Sequence, residues 1–185
     1  TFRFGLTNPL GLAPVLARPV HAMNYVQYLI WYVVYSRCPL EVMGDLLGLE
    51  LEWPELPEPE PTYSHGATSH LVDVLARQVE KNTGEAAYDA DRLHRVGVYL
   101  ERSDRYRPAL EAANLDEAAE LLGHRPRTWQ EADVELEAFV GEKNGQGDYD
   151  EPLLRLFHRR LCREESLLQP TLRELENSRI QPLSR

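Results

Sequence analysis

The chain has 185 residues, enough for one domain with a sizeable core, and its composition (43% hydrophobic, 27% charged) is that of an ordinary globular protein. That composition excludes a disordered tail and a fibrous repeat. The formal net charge of −10 argues against general affinity for nucleic acid, where neutralisation of phosphate dominates binding.

Residues 1–18 contain Pro9, Gly11 and Pro14 and read as an irregular arm. Within it, residues 9–20 lack the charged-then-apolar-then-small order of a secretory signal. Pro19 suits the first turn of a helix that runs to about Tyr35. In that helix Tyr25, Tyr28, Tyr32 and Tyr35 recur at steps of three, four and three and share one face, with Trp31 beside them. Val26, Leu29, Ile30 and Val33 occupy the opposite face. A segment apolar nearly all round must be enclosed, by its own domain or by a partner. The same residues would suit a buried strand, but the spacing favours a helix. Tyrosine and tryptophan are enriched as interface anchors, so Tyr25, Tyr28, Trp31, Tyr32 and Tyr35 are the candidate partner-binding residues. Asn24, Gln27 and Arg37 keep this apolar run below the roughly 18 residues a membrane span needs, so no membrane association is expected.

A short second helix is expected from Pro39 to Leu47, stopped by Gly48. Pro54, Pro57, Pro59 and Pro61 then exclude helix and favour an extended connector. The expected organisation is an N-terminal arm over 1–52, a proline-rich connector over 53–65 and a helical body over 66–185. In the body, Ser69 or Thr68 can cap a helix with Leu71, Val72, Leu75 and Val79 at helical spacing. A helix from about Glu85 to Asp104 points Ala86, Leu93, Val96, Val98 and Leu100 inward, and Pro108 starts a turn. Asp116 caps a short helix to Leu122, which Gly123 terminates. Thr128 with Glu131 forms a capping box ahead of Val134, Leu136, Phe139 and Val140. Asp150 caps the last long helix, whose core face is Leu154, Phe157, Leu161 and Leu168, and Gln169-Pro170 end or kink it before a final short helix. No alternating strand pattern with turn signals appears. The expectation is an all-α bundle of about six to eight helices.

Charge is uneven along the body. Residues 109–151 carry twelve acids against three bases, and residues 152–185 carry seven arginines against four acids. Such a division forms an internal pairing or two separate interaction faces. Cys38 and Cys162 are far apart, with no CxxC, and read as two thiols in a reducing compartment, so a cytoplasmic location is expected.

The segment around the capping box resembles the helix-turn-helix form of DNA-binding regulators. Glu117-Ala118-Ala119, Leu121-Leu122-Gly123 and Thr128-Trp129 carry the likeness over about twenty residues. The resemblance implies a transcriptional regulator whose second helix reads DNA. The charges oppose it, since Glu131, Asp133, Glu135 and Glu137 would meet phosphates with like charge and only Arg125 and Arg127 are favourable. Pro39–Gly48 repeats the same offset of small residue and glycine, so ordinary helix termination produces the pattern. Nucleic acid is not an expected partner.

Two constellations could carry chemistry. On the last long helix His158 and Glu165 lie about two turns, roughly 10 Å, apart on one stripe. Asp91 and His94 at i, i+3 on another helix complement them, and together they are the catalytic candidates. The Glu-x-x-His pairs of a bundle metal site are missing, so no metal and no cofactor are expected. Around Gly66, His65 and His70 flank a helix start that favours an anion, and with Tyr28 and Tyr32 they are the ligand-binding candidates. No phosphate loop, dinucleotide fingerprint or nucleophile elbow occurs. The leading expectation is a non-catalytic helical accessory or assembly protein. Its aromatic N-terminal arm would contact a protein partner or a second copy, and removing residues 1–52 would leave a folded body. The alternatives are a small helical enzyme or ligand-binding protein and a helix-turn-helix regulator.

Overall fold

The structure is a computed structural model that describes residues 25–60 and 62–171. The described residues hold five α-helices and no strand: α1 Tyr25–Leu47, α2 His65–Lys81, α3 Gly84–Leu122, α4 Trp129–Lys143 and α5 Asp150–Leu168. Turns of 3-10 helix, Gly147–Tyr149 and Gln169–Thr171, bracket α5. The chain is all-α. The irregular arm before Pro19, the helix start near Pro19 and the final short helix after Pro170 lie outside the described residues.

Two expected breaks are absent. α1 runs through Pro39, joining the helices expected to end near Tyr35 and to start at Pro39. α3 is one rod of 39 residues that passes through Pro108, so Asp116 caps nothing. A proline inside a helix removes one N–H rung and costs about 3 kcal/mol. Both prolines are solvent-exposed, while residues on either side of them are buried (Val33 and Leu40 on α1, Tyr99 and Leu110 on α3). Packing on both flanks outweighs the lost rung.

α5 is the centre. α1 lies along it, α3 packs on it, α2 lies along α3, and α4 rests on the last turns of α3. One core joins Leu40, Ala118, Leu136, Leu154, Leu156, Phe157 and Leu161, with Leu49 and Leu51, just after α1, packed against it. The other joins Val26, Val33, Tyr99, Leu110, Leu167 and Leu168, and takes in Leu56. The extended segment after α1 therefore lies against the bundle through Leu49, Leu51 and Leu56.

Local signals explain the corners. Gly123 adopts φ +77°, and its N–H bonds the Ala119 carbonyl at 2.9 Å, closing α3. The Thr128 hydroxyl accepts from the Glu131 N–H at 3.2 Å, and Glu131 accepts in return from the Arg127 N–H at 2.7 Å, a capping box shifted by one residue. The start of α2 departs from expectation: the helix begins at His65, Thr68 bonds backbone carbonyls within the first turn, and Ser69 donates to Glu101 of α3. At Gly97 the two helices approach closely, because a Cβ there would stand 3.1 Å from Cδ1 of Leu75.

The expected inward faces are partly rotated. On α3 the buried residues include Ala90, Gly97 and Tyr99, while Leu93 and Leu100 are exposed. On α4 Leu136 is buried but Val134 and Val140 face out. On α5 the expected Leu154, Phe157, Leu161 and Leu168 are buried, and so are His158, Cys162, Arg163 and Glu165.

Candidate functional site

The polar side chains worth following sit where α1 crosses α5. Val26, Val33 and Leu40 are spaced by seven and turn one face of α1 onto α5. Arg37 falls on that face and is carried inward with them, to 1% exposure. A buried guanidinium needs counter-charge. Its Nε donates to Oε2 of Glu165 at 2.7 Å, and Nη1 donates to Glu41 one turn further on. Its charge also lies over the Trp53 ring, 5.4 Å from the centroid, and the Trp53 indole N–H donates to Ser166 at 3.2 Å. His158 extends the cluster: Nε2 stands 3.5 Å from Glu41 Oε1, the outer limit of a hydrogen bond, and 3.5 Å from the Cys162 sulfur.

Burial alone would disfavour the Arg37 charge, but Glu165 and Glu41 reverse this and hold it protonated above its usual range. Burial likewise pushes the Glu41 carboxyl up. The hydrogen bond with His158 and the Arg37 charge outweigh that, leaving it below the ordinary carboxylate range. Burial raises the Cys38 thiol, against the opposing pull of Arg37, so Cys38 is not an activated thiolate. Glu41 Oε2 and Glu165 Oε1 are buried without a hydrogen-bond partner.

The remaining faces of α5 are also stitched by charge. Arg163 grips Glu117 of α3 through both terminal guanidinium nitrogens and donates to Asn114 at 2.6 Å. Arg160 pairs with Asp133 of α4. Glu164 accepts from both terminal nitrogens of Arg107, at 3.0 and 3.2 Å, and Arg107 also bonds the Tyr99 hydroxyl. The acidic and basic stretches of the sequence thus meet within the fold.

The structure brings His158 and Glu165 into one cluster, through α1. Asp91 instead bonds Arg95 one turn on, at 2.9 Å, and none of the polar contacts of His158, Glu41 or Glu165 is made to Asp91 or His94. His65 is half-buried at the start of α2 and His70 is exposed. The hydroxyls of Thr62 and Ser64 there donate to Asp104 of α3, whose carboxylate they hold below its ordinary range. A protein carboxylate therefore already sits at that helix start. Tyr32 is half-buried against the second core, and burial raises its hydroxyl above the ordinary range, although Arg160 opposes this. Tyr35 is 67% exposed, and the side chains of Tyr25, Tyr28 and Trp31 lie outside the described residues.

Sequence reasoning missed Arg37 and Glu41. The available signal was an arginine in register with Val26, Val33 and Leu40, with an acid four residues on. Among the described residues no group of three or more His, Cys, Asp and Glu is arranged to hold a metal ion, and no helix is long and apolar enough to cross a membrane. Compared with known proteins, the chain matches no family model, no curated protein and no solved structure.

Proposed function

We propose that the chain is a non-catalytic helical accessory or assembly protein that acts through protein contacts of α1. The observation that carries this reading is the outward face of α1. Val42, Met43 and Leu46 are all exposed, Leu46 at 70%, on a helix whose other face is built into the core. An apolar strip on a well-anchored helix is a typical protein-contact surface. The contact surface thus extends beyond the tyrosine stripe toward the C-terminal half of α1.

The enclosure of the catalytic candidates also favours a non-catalytic role. Of the four candidates, His158 and Glu165 are almost wholly buried and engaged with Glu41 and Arg37, while Asp91 and His94 are half-buried on α3. A substrate would have to displace core side chains to reach His158 or Glu165. Both cysteines are thiols, in keeping with a reducing, cytoplasmic compartment. For DNA reading, α4 would have to present Glu131 and Glu137, both exposed, to phosphate.

The test is site-specific photocrosslinking in extract of the native host. A crosslinker at Leu46 should yield one discrete protein adduct, and one at exposed Val134 of α4 should yield none. Equal, diffuse adducts at both positions, or none at Leu46, would overturn the reading.

A further inference from the structure

We infer that the occupant of the α1 strip is an amphipathic helix with basic flanks, supplied by a different protein. This rests on the reading of α1 as a contact surface and adds the chemistry of the partner.

The strip has the spacing of a helix–helix seam. At about 100° per residue, Pro39, Val42 and Leu46 fall within about 60° of one another, opposite the buried Val26, Val33 and Leu40. Their steps of three and four residues are those with which one helix receives another in a coiled-coil seam. Met43 widens the strip on one side. On the other side stands exposed Asp45, so the apolar surface is bordered by charge of one sign.

In sequence the same sign dominates the segment that follows. Between Arg37 and Arg77 the sequence contains no lysine or arginine, yet it contains Glu41, Asp45, Glu50, Glu52, Glu55, Glu58, Glu60 and Asp73. Arg37 itself is buried and paired. Beyond the turn at Gly48, Leu49 and Leu51 pack against the core while Glu50 and Glu52 point out, a consequence of extended backbone alternation. Arg155 bonds the Glu50 carbonyl and is itself paired with Glu151.

Charge complementarity therefore selects the occupant. A second copy would bring Asp45 and its acidic segment up against a chain of net charge −10. An anionic lipid surface meets the same repulsion. A helix with an apolar stripe and lysine or arginine on both borders satisfies both parts of the surface.

The test uses the full chain and two labelled helical peptides of identical leucine stripe, one bordered by lysine and the other by glutamate. Fluorescence anisotropy should show the lysine peptide binding. Its affinity should fall about tenfold or more with Leu46→Glu, fall with Asp45→Lys, and weaken as salt rises. Val134→Glu should leave binding unchanged. Circular dichroism of the variants checks that each is folded, as expected for exposed positions. Equal binding of the glutamate peptide would overturn the basic partner while leaving the α1 surface standing. Binding insensitive to Leu46→Glu would sink the surface itself. Failure of both peptides to bind, self-association lost in Leu46→Glu, or adsorption to phosphatidylserine vesicles lost in the same variant would each overturn the proposal.

Discussion

Arg37 of α1 and Glu165 of α5 are joined by a 2.7 Å hydrogen bond across 128 positions of sequence, with both side chains almost fully buried. Such a pair contributes little net stability against an apolar replacement, yet its halves are costly to separate. Arg37→Ala should destabilise the protein by about 3–5 kcal/mol, because Glu165 and Glu41 would then be buried without a cation. The double variant Arg37→Met/Glu165→Leu should be markedly more stable than Arg37→Ala. Urea denaturation of both decides the matter, and a double variant as unstable as the single one would show that the pair matters for something other than charge compensation.

The cluster also sets the response to acid. The folded-state pKa of Glu41 is depressed, so its ionised form contributes stability that is present above the ordinary carboxylate value. That contribution is lost as pH falls through the ordinary glutamate value, about 4.3, and on through the depressed one. Thermal midpoints measured from pH 7 to pH 3 should fall more steeply for the natural chain than for Glu41→Gln. Parallel curves would remove Glu41 from the acid transition.

α1 is both scaffold and surface, and its two faces should respond differently. Leu40→Ala, in the first core, should cost about 2–5 kcal/mol. Leu46→Ala, on the exposed face, should change stability by no more than about 0.5 kcal/mol. Because Val26, Val33 and Leu40 belong to the two cores, a chain lacking residues 1–52 should lose its cooperative thermal transition, contrary to the expectation drawn from the sequence. A truncated chain with a sharp melt would restore the arm as a separable element.

The capping box is a local test. Thr128→Ala removes the acceptor for the Glu131 N–H and should lower stability by about 1 kcal/mol, with α4 exchanging its first amide protons faster than α5.

Thiol reactivity should separate the two cysteines. Cys162 is fully buried and Cys38 is partly buried with its thiol raised by desolvation. Iodoacetamide at neutral pH should modify Cys38 slowly and Cys162 only after denaturation, read by intact mass. Rapid modification of Cys162 would mean that α5 opens locally.

What could be read without coordinates was mostly what neighbouring residues decide among themselves. Thr128 with Glu131, Gly123 as a helix end and the repeated three-and-four spacing of apolar residues all carry their cause within one or two turns. Pro39 and Pro108 misled because their penalty is local, while the packing that overrides it comes from α5 and the second core. Leu93, Leu100 and Val134 misled because α3 and α4 are apolar on more than one face, so periodicity could not choose the buried one. His158 and Glu165 were visible as a stripe. Arg37 was legible only as an arginine in register with Val26, Val33 and Leu40 and four residues before Glu41, and nothing near it reveals its second counter-ion 128 residues away.

The pairing of the first and last described helices has a consequence during synthesis. Contacts this far apart cannot form until α5 has left the ribosome, and at about 5–20 residues per second Arg37 precedes Glu165 by roughly 6–26 s. For that interval α1 lacks its main packing partner, so Val26, Val33 and Leu40, which later belong to the core, are incompletely covered. The nascent chain is therefore at its most aggregation-prone before α5 is complete, and a stop codon anywhere between Leu122 and Asp150 should yield insoluble protein even though α1 to α3 are intact in sequence.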